Sequence, residues 1–204
     1  MACNVSWWDE VTNPFKLAIQ AGLTTRTKLS FMELAQAYRF CPLCGAPRAS
    51  YSPLRPFRCT SCRHTTFFGP ASAVGGIVTN PDGDVLLIRR ARDPGKGKLG
   101  MPGGFIDHGE SAEQALAREI DEEVGIVVSA MNFIMTAPNH YVYHGIELPV
   151  MDVFFHIPLD FQPVVRTQPS EVTSFIWTQL TDEILDQIAF VSNRKALETY
   201  RDSF

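Results

Sequence analysis

The sequence lacks a large excess of charge of either sign. Its 204 residues include 18 lysines and arginines and 22 aspartates and glutamates, which leaves a formal net charge of -4 at pH 7. Nucleic-acid-binding domains usually carry a strong basic excess, because contacts to phosphate supply much of their affinity. We therefore do not expect nucleic acid to be a bulk electrostatic partner of this chain.

The sequence also lacks long apolar runs. Its apolar segments, such as Val153 to Phe155, are far shorter than the ~18 apolar residues that a membrane-spanning helix needs. The opening residues MACNVSWWDE lack the basic start and apolar core of a secretory signal. We therefore expect a soluble protein with no membrane partner, located in the cytoplasm, where cysteines stay reduced.

Cysteine is scarce and unevenly distributed. Four of the five cysteines form two pairs, Cys41-Pro-Leu-Cys44 and Cys59-Thr-Ser-Cys62, separated by fourteen residues. Two C-x2-C pairs at this spacing are typical of a structural Zn²⁺ site with four thiolate ligands. A pair of disulfides is the alternative, but it fits poorly with a reducing cytosol. We predict a zinc ribbon over residues 40–69, which needs the metal because it is too small for its own core.

Two further segments flank the predicted ribbon. Residues 1–39 contain too many apolar side chains for a disordered tail, and we predict that they form a helical extension. Residues 70–204 alternate strand-like and helix-like patterns, including the hairpin pattern AVGGIVT-NPDGD-VLLIRRA that begins at Ala73. Strands on both sides of a long helix, with more helix at the end, indicate an α/β domain.

The segment GFIDHGESAEQALAREIDEEVGI, residues 104–126, holds seven acidic residues. Ser111 is a predicted N-cap, Gln114 completes a capping box, and Gly125 stands where a helix ends in a left-handed turn. Both ends of a helix are therefore marked in the sequence. The buried stripe predicted for this helix consists of residues four apart: Leu116, Ile120 and Val124.

Three glutamates border the predicted stripe: Glu119, Glu122 and Glu123. Like charges at this spacing repel one another on a helix, and a divalent cation with oxygen ligands would relieve that repulsion. Glycines ahead of the helix allow a ligand to approach the backbone, and we expect the Gly104 carbonyl to be free to join a metal. The alternative is a solvated acidic face, which most glutamate-rich helices have.

The same segment matches the Nudix box, G-x5-E-x7-R-E-U-x-E-E-x-G-U with U aliphatic, at every specified position. The matching residues are Gly104, Glu110, Arg118, Glu119, Ile120, Glu122, Glu123, Gly125 and Ile126. By this motif the chain is identified as a member of the Nudix hydrolase superfamily. The resemblance implies an α/β/α sandwich around a mixed sheet, and it extends over residues 70–204 by implication.

The resemblance also implies an activity. Nudix hydrolases split the pyrophosphate bond of a nucleoside diphosphate linked to another moiety, so the expected substrates are ADP-ribose, NAD(H), FAD and nucleotide sugars. By the resemblance, Glu110 pairs with Arg118, and the Mg²⁺ or Mn²⁺ ligands are Gly104, Glu119, Glu122 and Glu123. A carboxylate that is not fully committed to metal would act as general base. The candidates for this catalytic role are Glu122, Glu123 and Glu171.

A zinc ribbon ahead of a Nudix domain resembles the architecture of the NADH pyrophosphatases. Those enzymes carry S-Q-P-W-P-F-P-x-S shortly after the box, whereas this chain reads TAPNHYVYHGIELPVMD there. Nicotinamide specificity is therefore not carried over. The offsets of Pro138 and Tyr143 from the box, which relate to the ADP-ribose and diadenosine polyphosphate types, do not decide between those substrates.

Substrate contacts are predicted from charge and aromaticity. Arg89 and Arg90 follow a predicted strand and are candidates to bind phosphate, and Tyr143 is a candidate to stack on adenine. The structural alternatives are an ordinary solvated surface for the arginines and core packing for the aromatic residues. The same reasoning and the same alternatives apply to Arg92, Tyr141 and Phe154.

Two alternatives concern the role of the whole chain. One is a regulatory protein in which the Nudix domain senses a nucleotide and the ribbon contacts RNA, DNA or a protein. The complete set of metal glutamates argues against this, because a pure sensor does not need them. Within the enzyme interpretation, ribbons mediate dimerisation in the pyrophosphatases that the chain resembles, so a homodimer is one expectation and a monomer is the alternative.

Overall fold

The computed structural model describes residues 32–50 and 56–203. Most of the helical extension predicted for residues 1–39 lies outside these ranges, and only its last part is described. That part consists of strand β1 (Met32–Glu33) and helix α1 (Leu34–Ala37). β1 pairs in parallel with a strand of the main sheet, so this part of the segment is a sheet strand as well as a helix.

Eight more strands and three more helices follow in the described ranges. The strands are β2 (Phe57–Arg58), β3 (Thr65–Thr66), β4 (Ala71–Thr79), β5 (Val85–Arg90), β6 (Leu99–Gly100), β7 (Asn132–Tyr143), β8 (Ile146–Pro158) and β9 (Val172–Thr178). The helices are α2 (Ala112–Val124), α3 (Asp182–Leu185) and α4 (Val191–Arg201). No helix in the described ranges is long and apolar enough to cross a membrane.

A mixed sheet of seven strands forms the centre of the described chain. β8 pairs antiparallel with β7 along one edge, and along its other edge it pairs in parallel with β4 and β1. β5 pairs antiparallel with β9 and with the short β6. The combination of parallel and antiparallel pairs confirms the mixed sheet that the resemblance implies.

A tight turn joins β4 to β5, as the hairpin pattern predicts. The Asn80 N–H donates to the Asp84 carbonyl at 3.1 Å, and Gly83 adopts a φ of +80°. The two strands are paired directly at Thr79 and Val85. Beyond that point the edge of β4 that faces away from β8 bonds to the loop ahead of the next long helix, since the Gly76 N–H donates to the Pro102 carbonyl at 2.9 Å.

Helices cover both faces of the sheet. Successive side chains of a strand point to opposite faces, so on β4 Val74 and Val78 pack in the core that contains α2, while Ile77 packs in the core that contains α4. The stripe predicted for α2 is fully buried, with no exposed surface on Leu116, Ile120 or Val124. Two packed helical layers around one sheet make the α/β/α sandwich that the resemblance implies.

The described residues 40–50 and 56–69 surround a cluster of four cysteines. Their only strand pair is β2 with β3, which is antiparallel and two residues long on each side. The buried apolar residues of this module are few, with Phe57 packed against Cys41 and Cys59. So small a core supports the expectation that the module depends on a metal.

Candidate active site

Helix α2 is capped at both ends by the residues predicted for that role. The Ser111 hydroxyl accepts a hydrogen bond from the Gln114 backbone N–H at 3.2 Å, and the Gln114 side-chain oxygen accepts one from the Ser111 N–H at 2.8 Å. Gly125 ends the helix with a φ of +70°, and its N–H donates to the Asp121 carbonyl. The caps fix the length of the helix that carries the glutamates.

The loop ahead of α2 lies against β4 because glycines allow a close approach. Gly103 has a φ of +145°, and a Cβ at this position would collide with the Val74 carbonyl oxygen. A Cβ on Gly104 would meet the Glu119 carboxylate instead. The Gly104 carbonyl, expected to be free, accepts a hydrogen bond from the Val74 N–H at 2.8 Å. One of its two lone pairs therefore remains for a metal.

Arg118 joins this loop to the helix. The structure confirms its predicted ion pair with Glu110. Its Nε and Nη2 donate to the two carboxylate oxygens of Glu110 at 2.8 and 2.9 Å. These charge-assisted hydrogen bonds lower the pKa of Glu110 to about 2. Arg118 Nη1 also donates to Glu119 Oε1 at 2.9 Å. One guanidinium thus holds the loop and orients one of the box glutamates.

Three carboxylates converge beside Arg118. Glu119, Glu123 and Glu171 each place an oxygen within 4.8 Å of the others, and we call them the carboxylate cluster. Glu123 is only 5% exposed, and this burial raises its pKa to about 8, although the Gly103 N–H donates to its Oε2 at 2.9 Å. Burial also raises the pKa of Glu119. Glu123 therefore resists ionisation in the absence of a cation.

Glu171 reaches the cluster from the loop ahead of β9. The N–H groups of Arg166 and Gln168 donate to the last two carbonyls of α2 at 2.9 and 3.1 Å, which attaches the loop to the end of that helix. The Ala91 N–H donates to the Glu171 carbonyl at 2.8 Å, which attaches it to the end of β5. Long-range backbone pairing therefore brings together glutamates that are far apart in the sequence.

The carboxylate cluster fits a hard divalent cation. Mg²⁺ and Mn²⁺ take carboxylate and carbonyl oxygens as ligands. Three carboxylates and the remaining lone pair of Gly104 offer that donor set. A cation among them would also offset the unfavourable burial that raises the pKa of Glu123.

Glu122, predicted both as a ligand and as a base, is not among the three members of the carboxylate cluster in the described chain. Its side chain is 54% exposed, and its Oε2 lies 3.4 Å from Arg118 Nη1. Successive helix residues are about 100° apart, so Glu119 and Glu123 share a face of α2 while Glu122 points closer to solvent. Its function stays a prediction.

Arg90 and three aromatic rings border the carboxylate cluster. The positive charge of Arg90 opposes the effect of burial on the pKa of Glu123. Its guanidinium lies 4.9 Å from the centroid of the Phe190 ring, and Tyr141 stacks on Phe190 with 5.2 Å between centroids. Phe105 meets Tyr141 edge-on at 5.5 Å. We call Arg90, Phe105, Tyr141 and Phe190 the aromatic wall.

The other predicted substrate residues have different surroundings. Arg89 Nη1 donates to the Gly97 carbonyl at 2.6 Å, within the glycine-rich loop after β5. Tyr143, 45% exposed, lies at the turn end of β7 and meets His144 edge-on. Phe154 is buried in the core, as its structural alternative predicts. No local sequence pattern indicates Phe190, which follows α3 and reaches the wall only through the fold.

The four cysteines form a second cluster, at zinc-binding distance. Cys41 Sγ lies 3.6 Å from Cys62 Sγ, Cys44 Sγ lies 3.6 Å from Cys59 Sγ, and all four sulfurs are within 4.8 Å of one another. Thiolates about 2.3 Å from a tetrahedral Zn²⁺ are separated by about 3.8 Å. A disulfide needs a separation of about 2.05 Å, so these cysteines are free thiols.

Both cysteine pairs use the same local turn. The Gly45 N–H donates to the Cys41 carbonyl at 2.9 Å, and the Arg63 N–H donates to the Cys59 carbonyl at 3.0 Å. Both donor residues are left-handed, with φ of +72° at Gly45 and +64° at Arg63. The Cys62 N–H also donates to Cys59 Sγ at 3.5 Å, and this hydrogen bond lowers the pKa of the Cys59 thiol.

Comparisons with known proteins agree with this geometry. A family model described as NUDIX domain matches residues 69–200. The ADP-ribose pyrophosphatase of Methanocaldococcus jannaschii is 43% identical over 65 residues, which cover 32% of this chain and 38% of that protein. The NAD-capped RNA hydrolase NudC of Deinococcus radiodurans is 26% identical over 175 residues, which cover 83% of this chain and 59% of that protein. The chain thus spans less than two thirds of either relative.

A solved structure with the same fold contains a nucleotide. The NUDIX domain of NrtR from Shewanella oneidensis, determined in complex with ADP ribose, is 26% identical to this chain. The superposition has a TM-score of 0.56 and covers 67% of this chain and 90% of that domain. The fold expected from the sequence is therefore shared with a domain that binds a nucleoside diphosphate linked to a sugar.

Proposed function

The chain belongs to the NUDIX domain family, and we propose that it hydrolyses the pyrophosphate bond of a nucleoside diphosphate linked to another moiety. ADP-ribose, NAD(H), FAD and nucleotide sugars form the proposed substrate class. The names of two relatives, an ADP-ribose pyrophosphatase and an NAD-capped RNA hydrolase, support this class. The bound ADP ribose in the Shewanella domain supports it further.

The observation that carries the proposal is the convergence of Glu119, Glu123 and Glu171 within 4.8 Å on this fold. In the proposal these side chains and the Gly104 carbonyl hold Mg²⁺ or Mn²⁺. Such a cation, when bound, supplies neutralisation of the pyrophosphate charge and a more acidic water. The protein contributes the fixed positions of the oxygens, through Arg118 and the Gly103 N–H.

A general base must reach water and must not be fully committed to the cation. Glu123 is buried and accepts the Gly103 N–H, and Glu171 belongs to the cluster. Glu122 is the predicted candidate that remains, since it is 54% exposed and borders the cluster through Arg118. We assign it the task of taking a proton from the attacking water.

Substrate binding is assigned to the aromatic wall, which includes Arg90, and to Arg89 and Tyr143. Arg90 lies next to both Glu123 and the Phe190 ring, so its guanidinium is near the cation site and an aromatic surface at once. This position suits a phosphate oxygen of the substrate. Arg89 extends the positive charge toward the glycine-rich loop, while Tyr141 and Tyr143 offer aromatic faces along β7 for the organic part of the substrate.

The second cluster completes the proposal. Cys41, Cys44, Cys59 and Cys62 hold one structural Zn²⁺ in a ribbon over residues 40–69, ahead of a hydrolase domain over residues 70–204. The ribbon is proposed to assemble a homodimer, which gel filtration with and without zinc would reveal by a change in apparent mass. A cytoplasmic location is proposed, since thiols stay reduced there and available to zinc.

The proposal is tested by a phosphate-release screen with the purified full chain. ADP-ribose, NADH, FAD, diadenosine polyphosphates, nucleotide sugars and nucleoside triphosphates are each incubated with Mg²⁺, with Mn²⁺ and with chelator. We expect turnover of at least one linked nucleoside diphosphate, dependent on the cation and absent from a Glu119→Gln, Glu123→Gln double variant. ADP-ribose binding without turnover of any substrate would contradict the proposal and favour the nucleotide-sensing alternative.

A further inference from the structure

Each carboxylate of the cluster has one oxygen within 3.2 Å of a protein nitrogen, through a hydrogen bond for two of them and an ion pair for the third. Arg118 Nη1 donates to Glu119 Oε1 at 2.9 Å, and the Gly103 N–H donates to Glu123 Oε2 at 2.9 Å. The third carboxylate has an ion-pair partner outside the Nudix box. Arg92 Nη1 lies 3.2 Å from Glu171 Oε1.

Arg92 is itself fixed by the backbone. Its Nε donates to the Ser170 carbonyl at 2.7 Å, immediately before Glu171 in the chain. The neighbouring Ala91 N–H donates to the Glu171 carbonyl at 2.8 Å. The residues that follow β5 therefore hold the loop through its main chain and through the Glu171 carboxylate. These contacts restrict rotation of the Glu171 side chain.

Stability does not account for this ion pair. The side chains of Arg92 and Glu171 are 47% and 35% exposed. Exposed ion pairs contribute only about 0–1 kcal/mol to stability, because solvent screens the charges and two side chains lose freedom. A residue that orients a metal-binding carboxylate has a much larger influence, since loss of such a partner typically weakens metal affinity or activity about 10–100-fold.

We propose that Arg92 is a positioning residue that holds Oε1 of Glu171 so that Oε2 is presented to the cation of the carboxylate cluster. The inference rests on the proposed function, because it requires the cation site. It assigns to Arg92, for the third carboxylate, the role that Arg118 has for the first. It also separates Arg92 from Arg89 and Arg90, which are assigned to substrate.

The test is a double-mutant cycle on Mn²⁺ affinity, measured without substrate by electron paramagnetic resonance. The full chain is compared with Arg92→Ala, Glu171→Gln and the double variant. We expect Arg92→Ala to weaken Mn²⁺ binding about tenfold in the otherwise native protein and to have no further effect when Glu171 is Gln. Arg92→Lys, which keeps a charged donor but not the guanidinium geometry, should restore part of the affinity.

Arg201→Ala provides the matched control, because Arg201 is also a partly exposed arginine in an ion pair, with Asp182, but lies outside the carboxylate cluster. It should leave Mn²⁺ affinity unchanged. Unaltered or tighter binding in Arg92→Ala would overturn the positioning role, as would an equal loss in the native and Glu171→Gln backgrounds. If the native protein binds no Mn²⁺ at all, both the proposed function and this inference fail. If it binds Mn²⁺ and only the predictions for Arg92 fail, this inference alone is rejected.

Discussion

The cysteine cluster and the carboxylate cluster differ in how the chain assembles them and in their electrostatics. The cysteines belong to two local turns of the same design and place four sulfurs at the spacing of a closed tetrahedral site. The carboxylates come from α2 and from a loop before β9, and burial raises the pKa of Glu123 to about 8. The cysteine arrangement suits a metal that stabilises a small module. The carboxylate arrangement brings like charges together in a way that is unfavourable without a cation. Such local conflicts are expected where a protein acts on a ligand.

The largest effect is expected at the cysteine cluster. Structural zinc in small modules contributes a binding free energy of about 10–16 kcal/mol, so Cys59→Ser should lower zinc content and leave the ribbon open to proteolysis. Because the site is closed, the hydrolase domain should keep its fold and most of its turnover. Metal analysis and limited proteolysis measure the two results.

Cys3→Ser is the matched control, since it makes the same substitution at the one cysteine outside the two pairs. It should retain one zinc per chain. Well under one zinc per native chain would show that the four-cysteine site is not a zinc site.

The next largest effect is expected at Glu123. Glu123→Gln keeps the shape of the side chain but removes a cation ligand, and we expect kcat to fall about a hundredfold or more. Folding should stay intact, because Gln avoids the burial of a charge that raises the pKa of Glu123. Steady-state kinetics and thermal unfolding measure both quantities.

Glu113→Gln serves as the control for this change, because Glu113 lies in the exposed first turn of the same helix. Native turnover in Glu123→Gln, with Glu113→Gln also unchanged, would remove the carboxylate cluster from the mechanism.

A smaller effect is expected in the pH dependence of stability without metal. The folded pKa of Glu123, about 8, lies above its ordinary value of 4.5, so its contribution to stability is complete below pH 4.5 and is lost as pH rises toward 8. We expect the metal-free native protein to lose more stability than Glu123→Gln over this interval, by an amount on the order of a few kcal/mol. The comparison reduces the contribution of the other titrating groups, because both proteins share them.

The same measurement of stability is also made in the presence of Mg²⁺. A cation that binds the ionised cluster should restore the stability of the native protein at pH 8 and have little effect on Glu123→Gln. Chemical denaturation at several pH values provides the free energies of unfolding. Parallel pH profiles for the two proteins would contradict the raised pKa.

The smallest effects are expected from alanine substitutions at two adjacent glycines, Gly103 and Gly104. Gly104→Ala places its Cβ against the Glu119 carboxylate, so it should weaken Mn²⁺ affinity about tenfold, the scale found when a ligand is disoriented. Gly103→Ala should instead lower stability, because its Cβ meets the backbone of β4 at a φ of +145°. Equal effects of the two changes on affinity and stability would contradict this division.

The parts of the site that the sequence predicts are the local ones. The caps of α2, its buried stripe and the pairing of Arg118 with Glu110 all depend on spacings within one helix and its loop. The cysteine cluster is predictable for the same reason, since each pair closes within its own turn. These features need only helical period and turn chemistry.

The remaining parts depend on contacts between distant segments. Glu171 joins the cluster through the register of β5 with β9, and Phe190 reaches Tyr141 through the packing of α4 on the sheet. The sequence indicates Glu171 as a base but gives no sign that Arg92 holds it. The three-residue spacing between Glu119 and Glu122 also does not predict that the Glu122 side chain is more exposed than those of Glu119 and Glu123.

The central claim is that a divalent cation sits among Glu119, Glu123 and Glu171. The most direct measurement is a crystal of the full chain soaked with Mn²⁺ and a non-hydrolysable ADP-ribose analogue, with diffraction data collected at the manganese absorption edge. The account predicts an anomalous peak within coordination distance of these three carboxylates, next to the pyrophosphate of the analogue. A bound analogue with no anomalous density there, and with the glutamates turned into solvent, would contradict it.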